Sequence, residues 1–214
     1  MRKIDLETWS RREHFSVFQA WDCPHFNMCA NIDLTKFFPV IKQRDISFNV
    51  AVVYVLARSA NAIPEFRLRI HEDEVVEYDV VHPSSTIMAQ EDLFTFCTFE
   101  YAETFAEFAA KAADKISYIK SNPSLEDAPG EDDLLFLTAI PWVSFTSFMH
   151  PLDLNPVDSV PRFAWGKYFQ EGDQLKMPLS VQGHHALMDG IHIGRYYEKV
   201  QFYLDHPEIA LGEA

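Results

Sequence analysis

The apolar residues of this chain fall in short, strand-length runs, broken without strict alternation by four stretches of helical character; this rhythm most constrains the fold. Strict strand–helix alternation would predict a parallel sheet of repeated units, whereas helices set among runs of strands predict a mixed sheet. Asp33 can cap a helix reaching about Gln43, and Ser47 a longer, mostly apolar one running to Ala62 and stopped by Pro64. Phe105, Phe108, Ala112, Ile116 and Ile119 recur at helical spacing within 102–121, and a last helix is predicted over 191–204. Strands are predicted over 26–32, 66–70, 75–80, 86–90, 94–100, 134–139, 143–148, 162–170 and 175–182, with a hairpin turn around Gly172. The fold class that follows is α+β, a mixed β-sheet sandwich with outer helices. Nothing resembling a repeat or a linker divides residues 1–214, which read as a single domain. The acidic stretch 121–133, with Asn122-Pro123 and Pro129-Gly130, reads as a surface loop.

Charge narrows the partners. Eighteen basic residues against 32 acidic ones give a net charge of −14, which argues against nucleic acid and anionic membranes. The apolar runs fall short of the roughly 20 residues a membrane-spanning helix needs, and the N-terminus lacks a signal peptide's apolar core, so a cytoplasmic protein is expected. Cys23, Cys29 and Cys97 form no CxxC pair and read as reduced thiols.

The segment Gln182-Gly183-His184-His185-Ala186-Leu187-Met188-Asp189-Gly190-Ile191-His192 concentrates the chemistry. A strand ends in two histidines, and a short loop leads through Asp-Gly into a helix. Imidazole near neutrality can take a proton from a hydroxyl and return it, as acyl transfer to an alcohol requires. Two other readings stand beside it. The histidines can be structural, with Asp189 capping the following helix. They can also be metal ligands together with Asp189 and His192. Adjacent strand histidines point to opposite faces, so only one joins the others easily and no metal is expected.

H-H-A-x-x-D-G-x-H, preceded by Met177-Pro178-Leu179-Ser180-Val181-Gln182, resembles the active-site signature of type A chloramphenicol acetyltransferases. Three further blocks match in the family's order: Trp9-Ser10-Arg11-Arg12-Glu13-His14-Phe15, Asn61-Ala62-Ile63-Pro64-Glu65-Phe66-Arg67 and Pro141-Trp142-Val143-Ser144-Phe145-Thr146-Ser147-Phe148. The resemblance covers nearly the whole chain. It implies a coenzyme-A-dependent O-acetyltransferase that moves acetyl from acetyl-CoA to the primary hydroxyl of chloramphenicol without an acyl-enzyme. It also implies a homotrimer, with each acceptor pocket completed by a neighbouring subunit.

Residue by residue, the resemblance makes His185 the general base and pairs Asp189 with Arg11 to hold the loop that carries it. Thr138 stands where the family has an oxyanion-binding serine, and Ala164 replaces a threonine that supports the oxyanion through water. Lys167 and Tyr168 match residues beside coenzyme A, which meets the need for a local cation in an acidic chain. The acceptor pocket departs most: Trp21-Asp22-Cys23-Pro24-His25-Phe26 replaces an aromatic-rich segment, and Met149-His150-Pro151-Leu152 intervenes before the D-L-N segment. Phe26, Phe94 and Phe96 are the expected pocket walls. The alternatives are another small acceptor, or a ligand-binding protein on the same scaffold with impaired turnover.

Overall fold

The computed structural model describes residues 1–90, 92–122, 125 and 131–213. In chain order the elements are β1 (Arg2–Lys3), α1 (Arg12–Phe18), β2 (His25–Asp33), α2 (Phe37–Gln43), α3 (Phe48–Asn61), a 3-10 turn (Pro64–Arg67), β3 (Leu68–His71) and β4 (Glu74–Glu77). There follow β5 (His82–Gln90), β6 (Leu93–Thr98), α4 (Phe105–Ser121), β7 (Leu134–Ile140), β8 (Arg162–Gly166), β9 (Phe169–Glu171), β10 (Gln174–His184), α5 (Gly190–Asp205) and α6 (Pro207–Leu211). The larger sheet runs β2-β10-β8-β7-β5-β6, with β9 on the first part of β10, and a small sheet runs β1-β4-β3. β7 pairs in parallel with both β5 and β8, and the remaining pairs of the larger sheet are antiparallel. The sheet is therefore mixed, with several helices, as the sequence predicts.

Side-chain alternation divides the central strands into two faces. Leu135 and Leu137 of β7, Phe163 and Trp165 of β8, and Leu179 and Val181 of β10 enter the main core beneath α3 and α5. Residues 50–57 of α3 are all buried, which explains why that helix is apolar on every side. The alternate residues Thr138, Arg162, Ala164, Ser180 and Gln182 form the opposite, largely polar face. Thr138 is in register with Ala164, and Ala164 with Ser180.

The segment 141–161 crosses that polar face and accounts for the main departure from prediction. Residues 143–148 form no strand; the Phe148 carbonyl accepts from the Ser180 hydroxyl at 2.8 Å, and the Val143 carbonyl from the Lys167 amide at 2.9 Å. Side-chain and loop donors take the place of a ladder. α2 begins at Phe37 rather than just after Asp33, because the Asp33 carboxylate accepts from the Thr35 amide at 2.8 Å and closes a local turn. The strand predicted over 66–70 begins at Leu68 after the 3-10 turn, and the one over 162–170 divides around Lys167. The Gly172 turn lies where predicted, with φ of 59°. Of the predicted acidic loop, residues 123–124 and 126–130 lie outside the described residues.

Candidate active site

His185 lies one residue beyond β10, its backbone amide donating to the Pro24 carbonyl at 2.8 Å. Its ring stacks on Phe18 with centroids 4.0 Å apart and planes 3° from parallel, and Phe26 approaches from another side at 4.7 Å. Two aromatic walls confine the imidazole while about a third of the side chain stays accessible (32%). His185 Nδ1 lies 3.0 Å from Asp189 Oδ1. That nitrogen is buried and makes no hydrogen bond among the described residues, so the contact is one of proximity.

The loop beneath the ring is pinned by Arg11. Its guanidinium grips Asp189 through both terminal nitrogens, one of them at 3.2 Å, and Nη2 also reaches the His185 carbonyl at 3.2 Å. The planar fork of arginine suits this shared grip, and a lysine does not offer it. The Arg11 partnership holds the Asp189 carboxyl below the usual carboxylate range against the opposing effect of burial. Arg11 is presented by the start of α1, the same helix that supplies Phe18. A small satellite core of Phe15, Leu68, Val75, Ala186 and Leu187 packs α1 against the histidine loop.

The neighbouring histidines turn elsewhere. His184 is buried edge-on against His25 at 5.0 Å, its Nδ1 accepting from the Ala186 amide at 3.2 Å. Burial, helped by His25, drives its pKa down to about 3. His192 Nδ1 accepts from the Asp189 amide at 2.8 Å, and its Nε2 faces Glu65 at 3.4 Å. Among the described residues no group of three or more potential metal ligands is gathered.

Thr138 sits on the polar sheet face, lining a cavity of about 220 Å3 with Phe96, Phe136, His150 and Arg162. Its hydroxyl is 3.2 Å from His150 Nε2. Thr138 lies in register with Ser180, two strands over, while His185 lies further along β10. At about 3.3 Å per residue and 4.8 Å per strand, the two sites are roughly 15 to 20 Å apart within one chain. They do not meet around one reacting carbonyl in a single copy.

A larger cavity of about 540 Å3 lies beside the first turn of α3 and is lined by Lys120, Trp142, Trp165, Lys167 and Tyr168 among others. None of its described lining residues is acidic, in a chain of net charge −14, and two of them are lysines. That donor set suits a phosphate-bearing ligand with an apolar arm. Lys167 and Tyr168 thus share this cavity, and Phe94 lines it as well. The three phenylalanines expected as acceptor walls are therefore distributed: Phe26 against His185, Phe96 beside Thr138, and Phe94 in the larger cavity. Two site residues escape the sequence reading. Phe18 belongs to a short helix with one buried residue and hence no periodic signal; His150 has one, its place in the interruption 149–152.

The comparisons agree with one another. The family model described as chloramphenicol acetyltransferase matches residues 1–201. A chloramphenicol acetyltransferase of a Klebsiella species is 35% identical over 205 residues, covering 94% of this chain and 93% of its own. The one of Proteus mirabilis is 32% identical over 214 residues, with 94% of each chain covered. A solved chloramphenicol acetyltransferase superposes with a TM-score of 0.84 at 29% identity, covering 94% of this chain and 99% of its own. A probable dihydrolipoamide acetyltransferase from Listeria monocytogenes, at 13% identity and a TM-score of 0.68, shares the fold alone. The chain belongs to the chloramphenicol acetyltransferase family.

Proposed function

We propose that the chain transfers acetyl from acetyl-CoA to the primary hydroxyl of chloramphenicol, with His185 as general base. The observation that carries this reading is the His185 ring itself, clamped between Phe18 and Phe26 and still accessible, on a loop held by the Arg11–Asp189 grip. Nδ1 is buried beside Asp189, which leaves Nε2 to exchange the proton. It takes the proton from the acceptor hydroxyl as that oxygen attacks, and returns it to the departing sulfur. Thr138 donates its hydroxyl proton to the carbonyl oxygen as negative charge gathers there. Acetyl-CoA supplies the activated acetyl thioester. Lys167 meets its phosphate and Tyr168 its arm, in the cavity that carries no acidic lining residue among the described ones.

The separation of His185 from Thr138 supports a site shared between copies in a homotrimer, the histidine from one and the threonine from its neighbour. Residues 1–214 act as one domain, working in the cytoplasm. No helix among the described residues is long and apolar enough to cross a membrane.

The test follows free thiol release with acetyl-CoA and chloramphenicol, using His185→Ala as control. Release that the substitution abolishes is expected. Release only with other alcohols assigns another acceptor, and binding without release assigns a sequestering protein. Co-expressing His185→Ala with Thr138→Ala tests the shared site, because mixed trimers contain some interfaces with both groups intact. Activity above that of either variant alone is expected; no gain refutes sharing.

A further inference from the structure

His150 belongs to the interruption 149–152, which separates this chain from the family pattern, and its ring lies against the candidate oxyanion donor. Its position is fixed from several sides. The backbone amide donates to Gln182 Oε1 at 3.0 Å, and Phe148 meets the ring edge-on at 4.8 Å. Nε2 stands 3.2 Å from Thr138 Oγ1, while Nδ1 is buried and has no hydrogen-bond partner among the described residues. We propose that His150 is a positioning residue for acetyl transfer: its Nε2–H donates to the Thr138 oxygen and leaves the threonine proton to point at the oxyanion.

The assignment follows from the hydrogen-bond inventory. A neutral imidazole carries one N–H. On Nδ1, that proton would be an orphaned buried donor, the rarer and costlier defect, and Nε2 would consume the proton Thr138 needs for the oxyanion. On Nε2, the threonine oxygen accepts and its own O–H stays available, strengthened by the bond it receives. Burial, together with the nearby Arg162 guanidinium, pushes the His150 pKa down to about 4, so the ring is neutral under working conditions. Arg162 is itself occupied by Asp158 and by the Val160 carbonyl at 2.9 Å. The device suits a chain in which Ala164, directly in register with Thr138, lacks the hydroxyl that the family resemblance assigns to support of the oxyanion through water.

This inference rests on Thr138 as the oxyanion donor, and the experiment separates the two claims. Steady-state kcat and both KM values are measured for the wild-type protein, Thr138→Ala, His150→Gln, His150→Asn and the His150→Asn/Thr138→Ala double variant. Glutamine places an amide N–H near Nε2, and asparagine places one only near Nδ1. Thr138→Ala should lose about 100- to 1000-fold in kcat. His150→Asn should lose about 10-fold in kcat with KM unchanged, the worth of one hydrogen bond, and His150→Gln should stay within about 3-fold of wild type. In the Thr138→Ala background, His150→Asn should cost less than about 2-fold, since the group it positions is gone. Full activity of Thr138→Ala sinks the donor assignment itself. A large loss in Thr138→Ala with equal effects of Gln and Asn, or with additivity in the double variant, overturns the role of His150 alone. An independent reading needs no variant to be active: ring nitrogen shifts of 15N-histidine-labelled protein, assigned with His150→Gln, should report the Nε2–H tautomer. The Nδ1–H tautomer overturns the proposal.

Discussion

Asp189→Asn isolates the charge of the loop anchor while keeping its shape. Arg11 is 11% exposed and Asp189 29% exposed, so the pair sits between two measured extremes. Exposed pairs contribute about 0–1 kcal/mol, and breaking a fully buried pair costs about 3–5 kcal/mol. The substitution keeps one acceptor for the guanidinium but leaves its charge uncompensated, which gives a cost of about 2–3 kcal/mol. For a chain of 214 residues, about 2–4 °C per kcal/mol translates this into a Tm lower by about 5–10 °C. Activity should fall further than stability, because Arg11 also holds the His185 carbonyl at 3.2 Å. A loop that drifts by about 1 Å can lose about 100-fold in kcat. Calorimetry and thiol release on the same preparation measure both. Arg11→Lys is the companion: it keeps the charge without the fork, and should keep part of the Tm contribution but little of the rate. An Asp189→Asn protein that melts within about 1 °C of wild type and keeps full kcat refutes the anchoring argument.

Lys167→Ala should raise KM for acetyl-CoA by about 5-fold with kcat nearly unchanged, the worth of one partly exposed charge–phosphate contact; an unchanged KM across salt concentrations counts against the cavity assignment. Gly166→Ala would place a Cβ 2.7 Å from both the Val143 carbonyl oxygen and Pro178 Cγ. Relief by backbone shift should cost about 1–3 kcal/mol in urea unfolding, and a neutral result would contradict the close approach. Buried His184 and His150, with folded pKa values of about 3 and 4 against an ordinary 6.5, stay neutral while the unfolded chain takes up protons. Stability should therefore be full above pH 6.5 and decline as pH falls from there toward 4. Asp189, held low, contributes above the unfolded carboxylate value of about 3.9 and loses its contribution only below it. Urea midpoints that stay level between pH 6.5 and 4.5 would exclude the histidine effect.

The fold was legible where a long apolar run and its terminators coincide. α3 shows this: Ser47 opens it, Pro64 follows its end, and residues 50–57 have no exposed side to confuse the pattern. It was not legible where long-range polar partners decide the backbone. Residues 143–148 carry strand-like composition, yet the Phe148 and Val143 carbonyls are taken by Ser180 and Lys167, which lie elsewhere in the chain. α1 fully buries only Phe15, with Phe18 half-buried beside it, too little for periodicity, although it delivers both Arg11 and Phe18. A helix can thus be weak as a pattern and central as a bracket.

The site divides along the same line. Residue types and spacing single out the segment of His185 and Asp189, and only the family resemblance adds Thr138; neither says how far apart the groups stand. That distance comes from the sheet: Thr138 and Ser180 share a row across β7, β8 and β10, while His185 lies past the strand's end. Nor does net charge indicate where cations remain available. The deficit of 14 positive charges reads as hostile to a phosphate-bearing ligand, yet Lys120 and Lys167 line the larger cavity with no carboxylate among its described residues. At physiological ionic strength, charges more than about 8 Å away across solvent are largely screened, so these local lysines govern encounter with an anion and the remote acidic surface contributes little. An acidic protein can therefore recognise an anionic thioester without any change in its overall balance, provided the carboxylates are kept off one wall.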